Sequence, residues 1–128
     1  MLSMDCEMVG TGLYGYKSIL ARVSIVDYNG ECIFDTFVKP FLEVTDYRTP
    51  FSGCTKELLE DAPEFKLVQK QVYDIIKGKI IIGHDLGNDF RALMLKHPHN
   101  LVIFLKTILK YLKIEEAGLL SSAKNIFL

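Results

Sequence analysis

The chain lacks the residues on which several kinds of protein depend. Its 128 residues include no tryptophan and only three cysteines, Cys6, Cys32 and Cys54. Because the number is odd and no Cys-x-x-Cys pair occurs, neither a disulfide framework nor a zinc site is favoured, and we expect reduced, intracellular, structural thiols. The longest apolar run, 101–105, is too short to span a bilayer, and the amino terminus does not resemble a signal peptide. We therefore expect no membrane association.

The chain also lacks an excess of positive charge. It has 15 lysines and arginines against 16 aspartates and glutamates, which gives a formal net charge of −1. A protein that holds nucleic acid mainly by neutralising phosphates is usually basic. If this chain binds nucleic acid, bound metal ions must supply much of the positive charge at its site.

No linker, repeat or low-complexity segment divides the chain, so we predict a single domain over residues 1–128. Residues 2–9 alternate between apolar and polar, which predicts a strand with one buried face. Two further apolar runs, 19–26 and 32–38, are separated by a turn that contains Asn29-Gly30, the strongest short-range hairpin signal. The chain therefore begins with three strands, which we expect to be antiparallel neighbours.

The rest of the chain alternates between helical and strand patterns. Helices are predicted over 55–60, 63–78 and about 88–96, and the longest of them begins at a proline and ends at a glycine. Three consecutive isoleucines within 79–82 suit a strand that is covered on both faces of a sheet. Together with the opening strands, these elements predict an α/β fold in three layers.

Two pairs of acids are candidates for chemistry. Asp5 and Glu7 lie two apart on the first strand, so they point to the same side with about 7 Å between their backbones. Oxygen ligands at that spacing suit Mg²⁺ or Mn²⁺, although two exposed acids on a solvent face are the simpler explanation. Asp85 and Asp89 follow a buried strand, where ligand sites concentrate, but for this pair alone capping of the next helix is the better explanation. Spacing alone leaves open whether the two pairs converge.

Several motifs resemble one family of nucleases in their order and spacing. They are Met4–Gly10 (MDCEMVG), Ala21-Arg22, Thr45–Thr49 (TDYRT), Ser52-Gly53 and Gly83–Leu93 (GHDLGNDFRAL). Over roughly residues 3–98 the chain resembles the DEDDh 3′–5′ exonuclease superfamily, in the branch of the interferon-stimulated exonuclease, the apoptosis-enhancing nuclease and the RNA exonuclease 4-like proteins. The resemblance implies the ribonuclease-H-like three-layer exonuclease fold, with a mixed sheet.

The resemblance also implies a reaction and a site. The family hydrolyses RNA or single-stranded DNA from the 3′ end with two divalent ions, Mg²⁺ or Mn²⁺. Asp5, Glu7 and Asp89 would be the catalytic metal ligands. Met8, Val9 and Arg48 would bind substrate, although alternation favours a core position for Met8, and a solvated loop position suits Arg48 equally well. By resemblance alone, the location would be intracellular, in the nucleus or nucleolus, and protein partners are unknown.

Four other polar residues are expected to take no part in the chemistry. Arg22 lies within a predicted strand, where pairing with an acid such as Asp46 is the ordinary role. His84 follows the buried strand, but in the family the catalytic base comes later in the chain, so we predict that His84 is a structural hydrogen-bonding residue. His97 and His99 flank Pro98 in a predicted surface turn and are expected to have no chemical role.

The resemblance fades after Pro98, so we divide the domain into a family-like part, 1–98, and a divergent tail, 99–128. The family continues with a histidine base and a fourth aspartate, whereas this chain has no histidine after His99 and no aspartate after Asp89. The later acids, Glu115 and Glu116, resemble neither. We therefore expect an incomplete, truncated exonuclease domain with impaired activity.

Two other functions were weighed against an exonuclease. A non-catalytic nucleic-acid-binding or regulatory remnant of the same fold is the alternative. A haloacid-dehalogenase-type phosphatase is disfavoured, because it needs a second aspartate where Glu7 stands.

Overall fold

The centre of the sheet is one long strand, β1 (Leu2–Thr11), with neighbours on both sides. The computed structural model describes residues 1–112, and the side chains of residues 1–110. Strand β2 (Lys17–Asp27) pairs antiparallel with β1, and β3 (Cys32–Phe37) pairs antiparallel with β2. The prediction of three opening antiparallel strands is confirmed, with β1 and β2 extending slightly beyond the predicted bounds.

The other side of β1 is parallel. After the short strand β4 (Val44–Asp46), which pairs antiparallel with the end of β1, the chain returns as β5 (Ile81–Gly83), parallel to β1. Strand β6 (Val102–Phe104) then pairs parallel with β5. The resulting order, β3-β2-β1-β5-β6 with β4 beside β1, is the mixed sheet that was predicted.

Helices and two 3₁₀ turns, at 13–15 and 99–101, connect the strands. The helices are α1 (Thr49–Ser52), α2 (Lys56–Glu60), α3 (Phe65–Ile76), α4 (Leu86–Leu93) and α5 (Leu105–Leu112). The long helix α3 is shorter at both ends than its predicted range, and α4 begins before residue 88 and ends before residue 96. Within the described residues, no helix is both long and apolar enough to cross a membrane.

The main core lies between α3, α4 and one face of the sheet. Helix α3 buries four apolar side chains at helical spacing, Phe65, Val68, Val72 and Ile76, against a face of β1 that carries Leu2, Met4 and Cys6. Each such side chain contributes roughly 1.5–3 kcal/mol when fully buried. A smaller core, with Val9, Ile19, Ala21, Cys54 and Leu59, covers the opposite face farther along β1. Asp5 and Glu7 alternate along β1 with Leu2, Met4 and Cys6. Their side chains therefore lie on the opposite face of the sheet, which only the smaller core covers.

The sequence patterns do not predict β4, α1, β6 or α5, and the first two of these are short elements that tertiary contacts define. Strand β4 has three residues, and its pairing with Gly10 and Thr11 of β1 defines it. Helix α1 has four residues and begins after Arg48, whose backbone is left-handed with φ 48°. Such short elements lack a hydrophobic period that a sequence pattern could reveal.

A close approach at Gly83 fixes the spacing of β1, β5 and α4. A Cβ atom at this position would lie 2.8 Å from the carbonyl oxygen of Met4 and 2.6 Å from Cδ2 of Leu86. The backbone contact cannot relax by a side-chain rotation. Glycine at this point therefore allows the end of β5 to approach the strand that carries the acids.

We predict that Gly83→Ala lowers the free energy of unfolding by about 1–3 kcal/mol, because the added methyl group overpacks this contact. Gly87→Ala is the matched control, since nothing lies within 4 Å of a Cβ there. It lies in α4, where alanine is the better helix former, so we expect unchanged or slightly higher stability. Chemical denaturation of both variants measures the difference, and equal effects would contradict the proposed contact.

Candidate active site

Asp5 and Glu7 are held at the centre of the sheet. Both are half-buried on the same face of β1, and their cross-strand partners on β2 are Ser24 and Arg22. Burial raises the pKa of Asp5, and the Cys6 backbone amide, Arg22 and, least, His84 oppose that rise. The acid pair is therefore not a solvated edge feature. The charged form of Asp5 is disfavoured unless a cation is near.

Asp89 is the most deeply buried acid of the described residues. It lies in the first turn of α4, only 4% exposed, and its Oδ2 atom has no hydrogen-bond partner among the residues that the structure describes. Burial, followed by the charges of Asp5, Asp85 and Glu7, raises the pKa of Asp89 to about 8, and the Cys6 backbone amide offsets part of that effect. Asp89 is therefore protonated at neutral pH when no cation is bound.

The first strand and the fourth helix thus bring three acids into one electrostatic environment. Because Asp5 and Glu7 both raise the pKa of Asp89, their charges act on the same small volume. Asp85, in contrast, is exposed and accepts a hydrogen bond from the Asn88 side chain, so it borders this volume from the solvent side. The two acid pairs that spacing alone could not connect lie close together, with Asp89 on the inside.

The donor chemistry of these residues fits a divalent cation. An orphaned buried carboxylate oxygen and two raised acid pKa values are what a hard, oxygen-binding ion such as Mg²⁺ or Mn²⁺ would relieve. Over residues 1–112, no three histidine, cysteine, aspartate or glutamate side chains are already gathered into a metal cluster. Carboxylates that repel one another do not close up by themselves, and Mg²⁺ usually completes its shell with water and phosphate oxygens.

Arg22 faces Glu7 across the strands but forms its ion pair elsewhere. Its guanidinium donates two hydrogen bonds to Asp35 on β3, at 2.9 and 2.7 Å, and Ser24 donates a third at 3.0 Å. These bonds, first the one from Arg22, hold the pKa of Asp35 below its usual value. The prediction that Arg22 pairs with Asp46 was wrong, because the Asp46 carboxylate instead accepts the backbone N–H of Arg48 at 2.9 Å. Arg22 therefore pairs with Asp35, and its charge also opposes the rise in the pKa of Asp5.

Arg48 holds the loop that follows β1. Its guanidinium donates to the Ser18 hydroxyl at 2.8 Å and to the Gly15 carbonyl oxygen at 2.7 Å. Neither acceptor is charged, and no carboxylate in the described part of the chain forms an ion pair with Arg48. The positive charge of Arg48 is therefore not neutralised by a carboxylate. The hydrogen bonds of its guanidinium hold the loop in place.

Met8 and Val9 are placed on opposite faces. Met8 is partly buried against the main core, as alternation predicts. Val9 is 0% exposed in the smaller core, so any contact with a nucleotide would have to come from its backbone. A β-bulge between Glu7 and Met8 leaves Ala21 of β2 without a partner in the register. Ala21 joins the smaller core there, and Arg22 remains opposite Glu7.

A cavity of about 460 Å³ opens at the ends of β5 and β6. It is lined by His84, Asp85, Phe104, Lys106 and Thr107. His84 is exposed, and its ring makes no hydrogen bond to the described residues, so the predicted structural bond is not seen. Its nearness to Asp5 is a feature that the sequence did not reveal. Glu115 and Glu116 lie outside the described residues.

His97 has a structural contact. Its Nε2 atom lies 2.8 Å from the Lys79 carbonyl oxygen, and its ring stacks on Phe90 with 5.6 Å between centroids. These contacts tie the segment after α4 to the segment before β5. They agree with the expectation that this histidine has no chemical role.

The fold and these acids define a nuclease class. The sequence profile of the exonuclease family (RNase T) matches residues 2–119, so the chain belongs to that family. The relatives place it in the predicted DEDDh branch. RNA exonuclease 4 of Mus musculus is 52% identical over 97 residues, which are 76% of this chain and 22% of the relative. Human apoptosis-enhancing nuclease is 44% identical over 99 residues, or 77% of this chain and 30% of that protein.

One relative aligns over a longer stretch. RNA exonuclease 4 of Candida glabrata is 45% identical over 129 aligned positions, covering 98% of this chain and 49% of the relative. The chain thus spans between about a fifth and half of the length of these relatives. The division of the domain at residue 98 stays a prediction.

Solved structures confirm the ribonuclease-H-like fold. The Neurospora crassa Pan2 catalytic unit superposes with a TM-score of 0.71 at 24% identity, over 84% of this chain and 19% of that one. The Saccharomyces cerevisiae Pan2 module in complex with AAGGAA RNA gives 0.70 at 22% identity, over 80% of this chain and 20% of that one. At these identities the likeness shows the fold alone.

We predict that Asp89→Asn raises the melting temperature in EDTA at pH 8 by several degrees. The Asp89 pKa rises from 3.8 to about 8 on folding, so stability is fully present below about pH 4 and is lost as pH rises through about 8. The neutral amide removes that loss, and the two proteins should differ least near pH 4. Thermal melts from pH 4 to pH 8 measure this difference.

Asp85→Asn is the control for charge alone: it keeps the buried Asp89 carboxyl group and removes one of the charges that raise its pKa, so it should reduce the pH-dependent loss of stability only in part. Added Mn²⁺ should raise the melting temperature of the native chain and of Asp85→Asn but not of Asp89→Asn. If Asp89→Asn instead melted lower than the native chain at pH 8 without metal, Asp89 would not be a buried acid awaiting a cation.

Proposed function

We propose that this site belongs to a 3′–5′ exonuclease that hydrolyses RNA with two divalent cations, Mg²⁺ or Mn²⁺. The observation that carries the proposal is the buried, unpartnered Oδ2 of Asp89 beside Asp5 and Glu7. RNA is favoured over DNA because the relatives that share 45–52% of their aligned residues include several RNA exonucleases. The chain covers only part of those proteins, so the substrate is part of the proposal.

Each acid has a role that its position supports. Bound divalent ions would supply the charge that activates the attacking water and stabilises the leaving 3′ oxygen. By resemblance to the family, Asp5 would help to hold both ions. Glu7 would hold the ion next to the water and Asp89 the other, and Asp89 must lose its proton for this.

The residues around the acids would position the strand. Met8 follows Glu7 directly, but its side chain packs against the main core on the other face of β1, so it would contribute to nucleotide binding through its backbone. Arg48 keeps an unneutralised guanidinium next to the loop after β1, and a phosphate or ribose oxygen is a suitable acceptor for it. Val9 would contribute through its backbone.

The 128-residue chain has no histidine beyond His99 to act as the family's general base. Loss of a general base costs about 10²–10⁴ in rate. We therefore propose slow turnover for the chain as it stands. A non-catalytic nucleic-acid-binding remnant remains the second candidate, and this missing base is the observation that favours it.

We predict that the chain shortens a 5′-fluorescein-labelled single-stranded RNA from its 3′ end in Mn²⁺, at high protein concentration and over hours. A gel ladder that begins one nucleotide below full length measures the direction. EDTA should abolish the ladder, because the three acids cannot act without cations. Asp5→Asn should abolish it as well, since it removes the shared ligand.

Asp85→Asn is the matched control and should keep the ladder, since this acid faces solvent. Metal-dependent strand binding without any shortening would support the remnant. Cleavage within a strand whose 3′ end is blocked would contradict an exonuclease, and so would a ladder that Asp5→Asn leaves unchanged. Melts in EDTA verify that each variant is folded.

A further inference from the structure

Two tyrosines stand out of the loop that follows the acid-bearing strand. Tyr14 and Tyr16 are 80% and 82% exposed, and their rings form an edge-to-face pair with 6.0 Å between centroids. Neighbouring Leu13 is 76% exposed. A cluster of large exposed apolar surfaces commonly marks an interaction site. Neither the acids nor the core makes use of these rings.

The loop is fixed in place. Thr45 donates to the Gly12 carbonyl oxygen at 2.8 Å, and Arg48 donates to the Gly15 carbonyl oxygen at 2.7 Å. Gly10 and Gly15 approach so closely that a Cβ on Gly10 would lie 2.5 Å from the Gly15 oxygen. Tyr14 has φ 55°, a left-handed conformation that is unusual for tyrosine. The loop therefore holds the backbone of both tyrosines in a fixed conformation. Little backbone entropy is lost when a ligand stacks on the rings.

The charges around the rings suit a polyanion. Residues 10–18 contain no acid, and Lys17 follows Tyr16 directly; the nearest acid is Asp46, which packs against Gly15 and accepts the Arg48 backbone N–H. In the part of the chain whose side chains are described, neither Lys17 nor Arg48 forms an ion pair. Exposed aromatic rings flanked by unneutralised cations are the combination with which proteins hold single-stranded nucleic acid, because bases stack on the rings while phosphates meet the cations.

The loop also lies at the same end of the sheet as Asp89. Strands β1 and β5 are parallel, so the loop after β1 and Asp89 after β5 lie beyond the same edge. From Glu7 to Thr11 the strand advances about 13 Å. At about 3.4 Å for each stacked nucleotide, that distance corresponds to roughly four nucleotides.

We propose that Tyr14 and Tyr16, with Lys17 and Arg48, form a stacking platform for bases of a single-stranded nucleic acid several nucleotides upstream of its 3′ end. The platform rests on the proposed function, because it takes the acids as the position of the 3′ end. It gives the site a preference for long strands over short ones.

The test compares strand lengths. Fluorescence anisotropy with the 128-residue chain in Ca²⁺, a divalent ion that carboxylate oxygens bind, measures binding of 5′-labelled RNA of twelve and of three nucleotides with the same 3′ sequence. We expect Tyr14→Ala with Tyr16→Ala to weaken binding of the longer strand about tenfold or more, which is the scale of base stacking on aromatic side chains. Binding of the three-nucleotide strand should not change, because it does not reach the loop.

Tyr28→Ala is the matched control. Tyr28 is 78% exposed in the turn after β2, at the opposite end of that strand from Tyr16. It should bind both strands as the native chain does. Tyr14→Phe with Tyr16→Phe should also keep the affinity, since phenylalanine stacks as well, and it remains informative if the alanine variant fails to fold.

The outcomes separate the platform from the nuclease. Native affinity for the longer strand in the alanine variant would overturn the platform, even if the acid-dependent ladder is intact. The platform would also be overturned if the phenylalanine variant lost as much affinity, or if the alanine variant changed only self-association in sedimentation, which would indicate a protein contact. A length-dependent loss without any ladder would support the platform and leave the exonuclease contradicted.

Discussion

The organisation of the site depends on the repulsion between three carboxylates around one buried position. Asp89 is enclosed by the sheet and by its own helix, and the charges of Asp5 and Glu7 add to the cost of ionising it. A protein whose only task was to be stable would replace this acid by an apolar residue, because a buried unpaired charge is among the costliest features of a fold. Its presence is explained when cations occupy the space between the acids.

The surrounding residues act on these acids as well. Arg22 is the cation opposite Glu7, and it donates two hydrogen bonds to the Asp35 carboxylate on β3, to which Ser24 donates a third. The guanidinium also lies 5.6 Å from the centre of the Phe37 ring, which further limits its movement. Asp35 is thereby the ion-pair partner of Arg22, whose charge also opposes the rise in the pKa of Asp5. The backbone also helps to place the acids. Gly83 allows β5 to approach β1 closely, and this contact sets where α4, the helix that carries Asp89, begins.

The features that the sequence predicts well are those that local patterns encode. Alternation in β1, the Asn29-Gly30 turn and the helical stripe of α3 all express a period that is visible without partners. The partner of Arg22 could not be predicted, because it depends on the register between β2 and β3, and a diagonal neighbour such as Asp35 has no signature in the chain. Capping and ligand roles of Asp89 could not be separated either, since only the packing of α4 against β1 shows that its carboxylate is buried.

The charge balance of the chain is consistent with this division of tasks. A net charge near −1 gives no general attraction for phosphates, so affinity for a strand must come from a few local sources. Cations between the acids would bind the phosphate that reacts, and they do so only when the Asp89 proton has left. Aromatic stacking at Tyr14 and Tyr16 needs no net positive charge, and it contributes equally to every base. A site built from these two sources would hold the 3′ end through metal and the upstream strand through rings, without a basic surface.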